Sequence, residues 1–127
     1  MLEVEVIGDG GPEAPPRAEV ERLVGIAFGS VGVDQGHVAI EYVGAEKIAA
    51  LNEEFRGNAG PTDVLSFPID GEGPAAGPRE LGDIVICPAH TADLREAVVH
   101  GALHLTGMDH ESDEGEMLAL QAELLNW

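Results

Sequence analysis

Three histidines close together form the strongest chemical signal in this sequence. They lie in the segment His100-Gly-Ala-Leu-His104-Leu-Thr-Gly-Met-Asp-His110. Because a helix turns about 100° per residue, the side chains of His100 and His104 would leave one helix face, one turn apart. Two imidazoles in that position can share a metal ion, and zinc takes histidine nitrogens at about 2.0–2.1 Å. This pair therefore predicts part of a metal site.

Gly107 offers a way for the third histidine to join the pair. In a continuous helix, His110 would lie about 9 Å beyond His104 and about 240° around the axis. Glycine readily adopts the left-handed conformation that ends a helix and reverses the chain. We therefore predict that His100, His104 and His110 bind one transition metal and leave a fourth position for water, as in catalytic zinc sites.

The same spacing occurs in the metzincin peptidases, whose signature is His-Glu-x-x-His-x-x-Gly-x-x-His. The position of their general-base glutamate is occupied here by Gly101. Without that carboxylate, peptide hydrolysis lacks a proton acceptor beside the metal-bound water. A metal-dependent hydrolase acting on peptides or small molecules stays an alternative, with its peptide version disfavoured.

The other histidines and the cysteine are weaker candidates for binding a metal. His37 and His90 stand alone in the sequence, and we expect them to be structural. Cys87 could complete a metal site, but no spacing in the sequence places it there. The three clustered histidines could also be scattered structural residues, although their spacing and the intervening glycine favour metal binding.

A second segment could bind a phosphate. Arg56 precedes the glycine-containing loop Gly57–Pro61, and the polar pair Thr62-Asp63 follows at the start of a short apolar run. Arginine presents planar, bidentate donors that suit a phosphate group. The alternative is a surface ion pair, for example between Arg56 and Asp63.

Three carboxylates are candidates for proton transfer at the site. They are Asp83, Asp109 and Asp63. A carboxylate that orients a metal-bound imidazole is equally expected near such a centre. For Asp109, which precedes His110, we slightly favour the orienting role.

The charge balance restricts the partners of the chain. Asp and Glu total 24 against 6 Lys and Arg, so the net charge is −18. Such a surface repels phosphate backbones and membrane leaflets, which excludes binding of nucleic acid through a broad basic face. A nucleic-acid substrate would need a local basic site, a bound cation or a carrier protein.

Hydrophobic periodicity and turn residues predict the order β-α-β-α-β-β-α-α. The predicted strands are 2–6, 38–43, 64–69 and 81–86, the last of them central. The predicted helices start with Pro16 in the first turn, at Ala45, near Thr91 and at Asp113, and residues 70–79 form a connection rich in Gly and Pro. This pattern predicts an α+β fold, with helices packed on one small mixed sheet.

Size and composition predict one domain over residues 1–127 and a cytoplasmic location. A chain of 127 residues suits a single domain, and its one cysteine agrees with a reducing compartment. No apolar run approaches the roughly 20 residues that cross a bilayer, and acids stand where a signal peptide would be basic.

Five sequence blocks in one order resemble a known family. They are Leu51-Asn52, Arg56, Pro-Thr-Asp-Val-Leu-Ser-Phe-Pro, Leu81-Gly-Asp-Ile84 and His-Gly-x-Leu-His-Leu-x-Gly-x-Asp-His. Together they resemble the YbeY family, bacterial ribosomal-RNA maturation factors described as metal-dependent endoribonucleases. The resemblance implies zinc on the three histidines, a functional Arg56, and single-strand-specific cleavage in the processing of small-subunit ribosomal RNA. It also implies small-subunit ribosomal proteins as partners and no role for DNA or membranes.

Two features depart from the family pattern. Asn58 and Ala59 follow the Arg-Gly pair, where family members commonly have a basic and an acidic residue. Asp83 and His100 are only 17 positions apart, closer than in the family. A non-catalytic assembly factor, ordered by its metal and binding a basic ribosomal protein through its acidic surface, stays a further alternative.

Overall fold

Four strands and four helices follow one another in the order that the sequence predicts. The structure is a computed structural model that describes residues 2–33, 35–68, 80–108 and 115–126. Its elements are β1 (Leu2–Ile7), α1 (Arg17–Gly29), β2 (Gly36–Tyr42), α2 (Ala45–Arg56), β3 (Val64–Pro68), β4 (Glu80–Ile86), α3 (Leu94–Leu105) and α4 (Glu116–Leu124). The α+β class is confirmed.

The strands form one mixed sheet in the order β1-β2-β4-β3. β1, β2 and β4 are parallel, while β3 runs antiparallel to β4 and lies at the sheet edge. The nearly continuous apolar sequence of β4 is typical of an interior strand, and this prediction is confirmed.

The two faces of the sheet differ because strand side chains alternate in direction. The larger core packs one face against α1, α3 and α4, and includes Val38, Ile84 and Ile86. On the other face, α2 covers only the half formed by β3 and β4, with Ile48, Leu65, Val85 and Cys87 in a smaller core. The outer half of that second face carries charged residues of β1 and β2.

Helix α3 begins later than the sequence predicts. Asp93 is its N-cap, and its carboxylate accepts hydrogen bonds from the backbone N–H groups of Arg95 and Glu96. Thr91 instead follows a short 3-10 turn, Pro88–His90, and its hydroxyl donates to the Cys87 carbonyl at 2.6 Å. The prediction that the helix starts near Thr91 is therefore wrong, since Thr91 closes the turn that precedes the helix.

Several predicted features lie outside the described residues. These are Ile69 at the end of β3, the connection 70–79, and Asp113 at the start of the last helix. Helix α4 is described from Glu116, and it buries Met117, Gln121 and Leu124. None of the helices in the described ranges combines the length and apolar character needed to cross a membrane.

Candidate metal centre and adjoining cleft

Helix α3 brings two of the predicted ligands together. The Nε2 atoms of His100 and His104 are 3.2 Å apart, and the two rings meet edge to face. Two histidine nitrogens on one tetrahedral zinc would be about 3.3 Å apart, given bonds of about 2.05 Å. The separation of the pair therefore fits a shared metal ion.

The outer nitrogens of both rings are already engaged by acceptors. Nδ1 of His100 lies 2.8 Å from Oε1 of Gln121, and Nδ1 of His104 lies 3.0 Å from the carbonyl oxygen of Met108. A ring that donates from Nδ1 to such an acceptor can offer the lone pair of Nε2 to a metal ion. Because the two Nε2 atoms face each other at 3.2 Å, this donor set suits a shared metal ion.

The end of α3 places the Met108 carbonyl beside His104. The N–H of Gly107 donates to the carbonyl of His104, and Gly107 has a φ of 99° in the left-handed region. The chain turns there, as predicted, and the N–H of Met108 then donates to the carbonyl of Leu103 at 3.3 Å. The turn predicted after α3 is therefore present up to Met108.

His110 and Asp109 lie outside the described residues. Within the residues that the structure does describe, no three His, Cys, Asp or Glu side chains form a group that could hold a metal ion. The role of His110 as the third ligand therefore stays a prediction, as does the orienting role of Asp109.

Close packing fixes α3, and with it the histidine pair, against the sheet. A Cβ atom on Gly101 would lie 2.5 Å from Cγ2 of Ile84 and 3.3 Å from Oγ of Ser66. The Ser66 hydroxyl donates to the Gly101 carbonyl at 3.0 Å, which ties the helix to β3. The position that holds glutamate in metzincins thus faces the sheet here, and only glycine fits.

A cleft of about 520 Å³ opens in front of the histidines. His100, His104 and Ser66 line it from α3 and β3, and Arg56 lines it from the last residue of α2. Gly57 ends α2 with a φ of 69°, a left-handed conformation. Arg56 is the only Lys or Arg among the described residues that line this cleft, so the predicted phosphate-binding residue and the two histidines line the same cleft.

The loop after α2 forms the remaining wall of the cleft. Asn52 is buried and its amide donates to the Gly60 carbonyl at 3.0 Å. Oδ1 of Asp63 accepts hydrogen bonds from the N–H of Val64 at 2.8 Å and from the hydroxyl of Thr62 at 3.3 Å. These bonds fix the loop against the helix.

Asp63 lines the same cleft as Arg56 but is not bonded to it. Both residues are described, and no ion pair joins their side chains. The alternative in which Arg56 pairs with Asp63 is therefore wrong in this conformation. The guanidinium stays available to an anion that enters the cleft.

Asp83 lies on the other face of the sheet from the histidines. Its neighbour on β4, Ile84, packs against Gly101 of α3, and alternation turns Asp83 the opposite way. Burial, and then the carboxylates of Glu80 and Glu41, raise the pKa of Asp83. The sequence pattern identifies β4 correctly, but the structure does not bring Asp83 into the cleft, so we withdraw it as a candidate for proton transfer.

The remaining histidines and the cysteine also lie apart from the cleft. His37 lies between two carboxylates, with Nδ1 2.8 Å from Glu80 and Nε2 3.3 Å from Glu5. His90 is exposed in the 3-10 turn, and Cys87 is buried in the smaller core. None of the three lines the cleft, so nothing places Cys87 at the metal centre.

Sequence reasoning missed Gln121 and Asn52 as residues that position the site. Gln121 orients the His100 ring, and Asn52 holds the loop beside Arg56. Both are buried, and they are the buried polar side chains of the described chain. The available signal was a polar residue inside an otherwise apolar helix stripe, because a buried polar group needs a partner.

Comparison with known proteins agrees with this geometry. The family model of "Endoribonuclease YbeY" matches residues 14–127. An Endoribonuclease YbeY of Rubrobacter xylanophilus is 42% identical over 96% of this chain and 93% of its own. The corresponding protein of Salinispora tropica is 38% identical over 98% of this chain and 94% of its own.

A solved structure is similar as well. The solution structure of TM1509 from Thermotoga maritima has a TM-score of 0.56 and 29% sequence identity, and the match covers 95% of this chain and 85% of that one. The match to the family model over most of the chain, with relatives above 30% identity over nearly its whole length, settles the family. This chain belongs to the YbeY endoribonuclease family.

Proposed function

We propose that this protein is a metal-dependent endoribonuclease that cleaves single-stranded segments of small-subunit ribosomal RNA. The observation that carries the proposal is the convergence of His100 and His104 at 3.2 Å in a cleft that Arg56 also lines. The relatives are named endoribonucleases, and phosphodiester hydrolysis needs a nucleophile and a positive charge beside the phosphate. The cleft can supply both.

Zinc is the metal that suits the site best, with His100, His104 and His110 as its ligands. Its Nε2 donors, held by hydrogen bonds at the other ring nitrogen, follow the usual pattern of metal-binding histidines. A zinc ion bound there would supply a water of lowered pKa and a positive charge beside the phosphate. Gln121 and the Met108 carbonyl keep both rings oriented for this role.

Arg56 has the task of holding the scissile phosphate. Its planar guanidinium can donate two parallel hydrogen bonds to phosphate oxygens. The loop anchored by Asn52 fixes the end of α2, and therefore the starting point of the Arg56 side chain. Binding by Arg56 would orient the substrate relative to the histidines.

The general acid is proposed among the remaining carboxylates. Asp63 lines the cleft, and its Oδ1 is already occupied by the N–H of Val64 and the hydroxyl of Thr62. Asp63 is therefore the proposed residue for proton transfer in the cleft, while Asp109 is proposed to orient His110.

Substrate binding is proposed to depend on the ribosomal context and to take place in the cytoplasm. With a net charge of −18, the chain lacks a broad basic surface, so bare RNA should bind weakly. Small-subunit ribosomal proteins, which would meet an acidic surface, are the proposed partners. Their recruitment would bring the RNA to a cleft that holds one arginine among its described residues.

One observation favours a second candidate function. The uncovered half of the sheet carries Glu3, Glu5 and Glu41 on β1 and β2, and this acidic face could bind a basic protein. A non-catalytic assembly factor would use that face and need the metal only for its fold. The two functions make opposite predictions about cleavage.

A single-turnover assay with a small-subunit ribosomal RNA fragment separates the candidates. We expect cleavage by metal-loaded protein, none by metal-stripped protein, and recovery when zinc is restored. Casein cleavage in parallel would instead indicate a peptidase. Binding of a basic ribosomal protein without RNA cleavage, under every metal condition, would contradict the nuclease and support the assembly factor.

A further inference from the structure

Two aromatic rings form an exposed surface beside the cleft. Phe55, in the last turn of α2, meets Phe67 of β3 edge to face, with ring centroids 5.2 Å apart and an interplanar angle of 73°. Phe55 is 59% exposed, which makes it the most exposed large hydrophobic side chain of the described residues. Phe55 therefore presents an exposed aromatic side chain next to the residues that line the cleft.

The contact between the rings holds Phe55 in a defined orientation. Phe67 packs against the smaller core, and its position is therefore fixed by β3 and α2. Edge-to-face pairs are stabilised by the opposite charge distribution of ring edge and ring face. Phe55 is thus supported on one side and open to solvent over more than half of its surface.

The aromatic surface adjoins the proposed active site. A shallow cavity of about 460 Å³ is lined by Phe55, Phe67, Arg56, Leu65 and Ser66. Arg56, Leu65 and Ser66 also line the cleft in front of the histidines. A phosphate bound by Arg56 would therefore lie between the metal centre and the two rings.

We propose that Phe55 is a stacking platform for an unpaired base of the RNA substrate, next to the phosphate that Arg56 holds. This inference rests on the proposed endoribonuclease function. Unstacked bases of single-stranded RNA bind aromatic side chains through their faces, whereas paired bases in a duplex are not accessible in this way. Phe55 would thus make the enzyme select single strands.

Charge supports this occupant. Stacking contributes affinity that does not depend on releasing counterions, which suits a chain with a net charge of −18. The guanidinium of Arg56 complements the phosphate, and Phe55 precedes it directly in the chain. A nucleotide would use both side chains, the cation for its phosphate and the aromatic face for its base. An apolar patch on a partner protein would contact Phe55 without needing Arg56.

The test compares four substitutions of Phe55 on the full chain loaded with zinc. Phe55→Ala and Phe55→Leu remove the aromatic ring, while Phe55→Tyr and Phe55→Trp keep one. The substrate is a short single-stranded oligoribonucleotide, used intact and with one base removed at each position in turn. Val31→Ala is the control, since Val31 is another exposed apolar residue, in the turn after α1 and outside both cavities.

Phe55→Ala and Phe55→Leu should raise KM for the intact strand by about 5- to 30-fold. Phe55→Tyr and Phe55→Trp should keep KM within about threefold of the wild-type value. For one abasic strand, wild type and Phe55→Ala should have the same KM, because the base that stacks is missing. Zinc content should stay unchanged, and the melting temperature of Phe55→Ala should fall only by the loss of the contact with Phe67. In a Trp127→Phe background, the Phe55→Trp variant has a single tryptophan, the one that the substitution introduces. Binding of the RNA strand should quench the fluorescence of that tryptophan.

Other outcomes would overturn the proposal in distinguishable ways. If wild type cleaves the strand and Phe55→Leu cleaves it equally well, the platform is wrong and the nuclease stands. If the zinc-loaded wild type cleaves nothing, the proposed function fails, and quenching of the introduced tryptophan still decides whether a base stacks there. If Phe55→Ala loses binding to a ribosomal protein but binds RNA as wild type does, the surface binds a protein partner instead.

Discussion

Two histidine environments in this molecule differ in what surrounds the ring nitrogens. His100 and His104 turn Nδ1 toward neutral acceptors, an amide and a backbone carbonyl, and turn Nε2 toward each other. His37 has both nitrogens beside carboxylates, Glu80 on one side and Glu5 on the other. The first arrangement leaves lone pairs converging, whereas the second favours a protonated ring.

This difference distinguishes His100 and His104, which could share a ligand, from His37, which connects strands of the sheet. The hydrogen bond to Glu80, with a smaller effect from Glu5, raises the pKa of His37. Protonated His37 would thus connect β2 with β4 and β1 through charge. The same residue type therefore links strands on one face of the sheet and lines the cleft on the other, according to its neighbours.

Removing a histidine from each environment gives the largest expected contrast. His104→Ala should lose its bound metal and reduce RNA cleavage by about 1,000-fold or more, because both the activated water and the cation are lost. His37→Ala should keep its metal and its activity. Elemental analysis and single-turnover cleavage on the same preparations measure both. Undiminished metal in His104→Ala would remove it as a ligand.

Arg56 tests whether the cleft, beyond its metal, acts on RNA. Arg56→Ala should lower cleavage by about 30- to 1,000-fold, the loss of a charge-assisted contact in the transition state, with normal metal content and melting temperature. Arg56→Lys should recover only part, because it keeps the charge and loses the planar fork. Arg17→Ala, which removes an exposed ion pair with Glu21, is the matched control. Normal cleavage by folded Arg56→Ala would exclude Arg56 from the active site.

Gln121 tests the role of the outer hydrogen bond to the metal ligand. Gln121→Leu should weaken zinc binding by about 10- to 100-fold, because the His100 ring loses the partner that orients it. Gln121→Glu should bind zinc at least as well as wild type, since a carboxylate accepts the same hydrogen bond. Competition with a zinc chelator measures the affinity. Equal affinity in the Leu variant would make Gln121 a packing residue only.

The smallest expected effect comes from the His37 link. Since its pKa is raised in the folded state, its stabilisation is fully present below the unfolded value of about 6.5 and is lost as pH rises through the folded value. Relative to His37→Gln, wild type should be more stable at pH 6 by about 0.5–1 kcal/mol, a gain reduced by the exposure of both carboxylates. The difference should vanish by about pH 9. Denaturant unfolding at both pH values measures it, and a difference that grows with pH would contradict the link.

Much of the fold could be predicted from local patterns. Periodicity predicted β1 as a strand, the apolar residues of β4 predicted an interior strand, and the spacing of His100 and His104 placed both on one face of α3. Gly107 ends that helix as expected from its conformational freedom. These features depend on residues near in sequence, where the period of the element decides.

The start of α3 is a local error, decided by its Asp93 cap, whereas the other errors and omissions concern contacts between distant segments. Alternation shows that Asp83 and Ile84 point in opposite directions, but it does not show which of the two faces α3. The sequence shows that glycine, and not glutamate, occupies position 101. The physical reason is the contact with Ile84, which depends on how α3 packs on the sheet and therefore could not be predicted from the sequence. Gln121 reaches His100 only because α4 packs beside α3, so its role was hidden in an apolar stripe.

The central claim is that the converging pair holds a metal on which RNA cleavage depends. Titrating zinc into metal-stripped protein, while measuring single-turnover cleavage of a single-stranded ribosomal RNA fragment, tests it most directly. We predict that activity rises linearly and stops rising at one zinc per chain, and that His104→Ala stays inactive throughout. Cleavage by the stripped protein at the rate of the loaded protein would contradict the account.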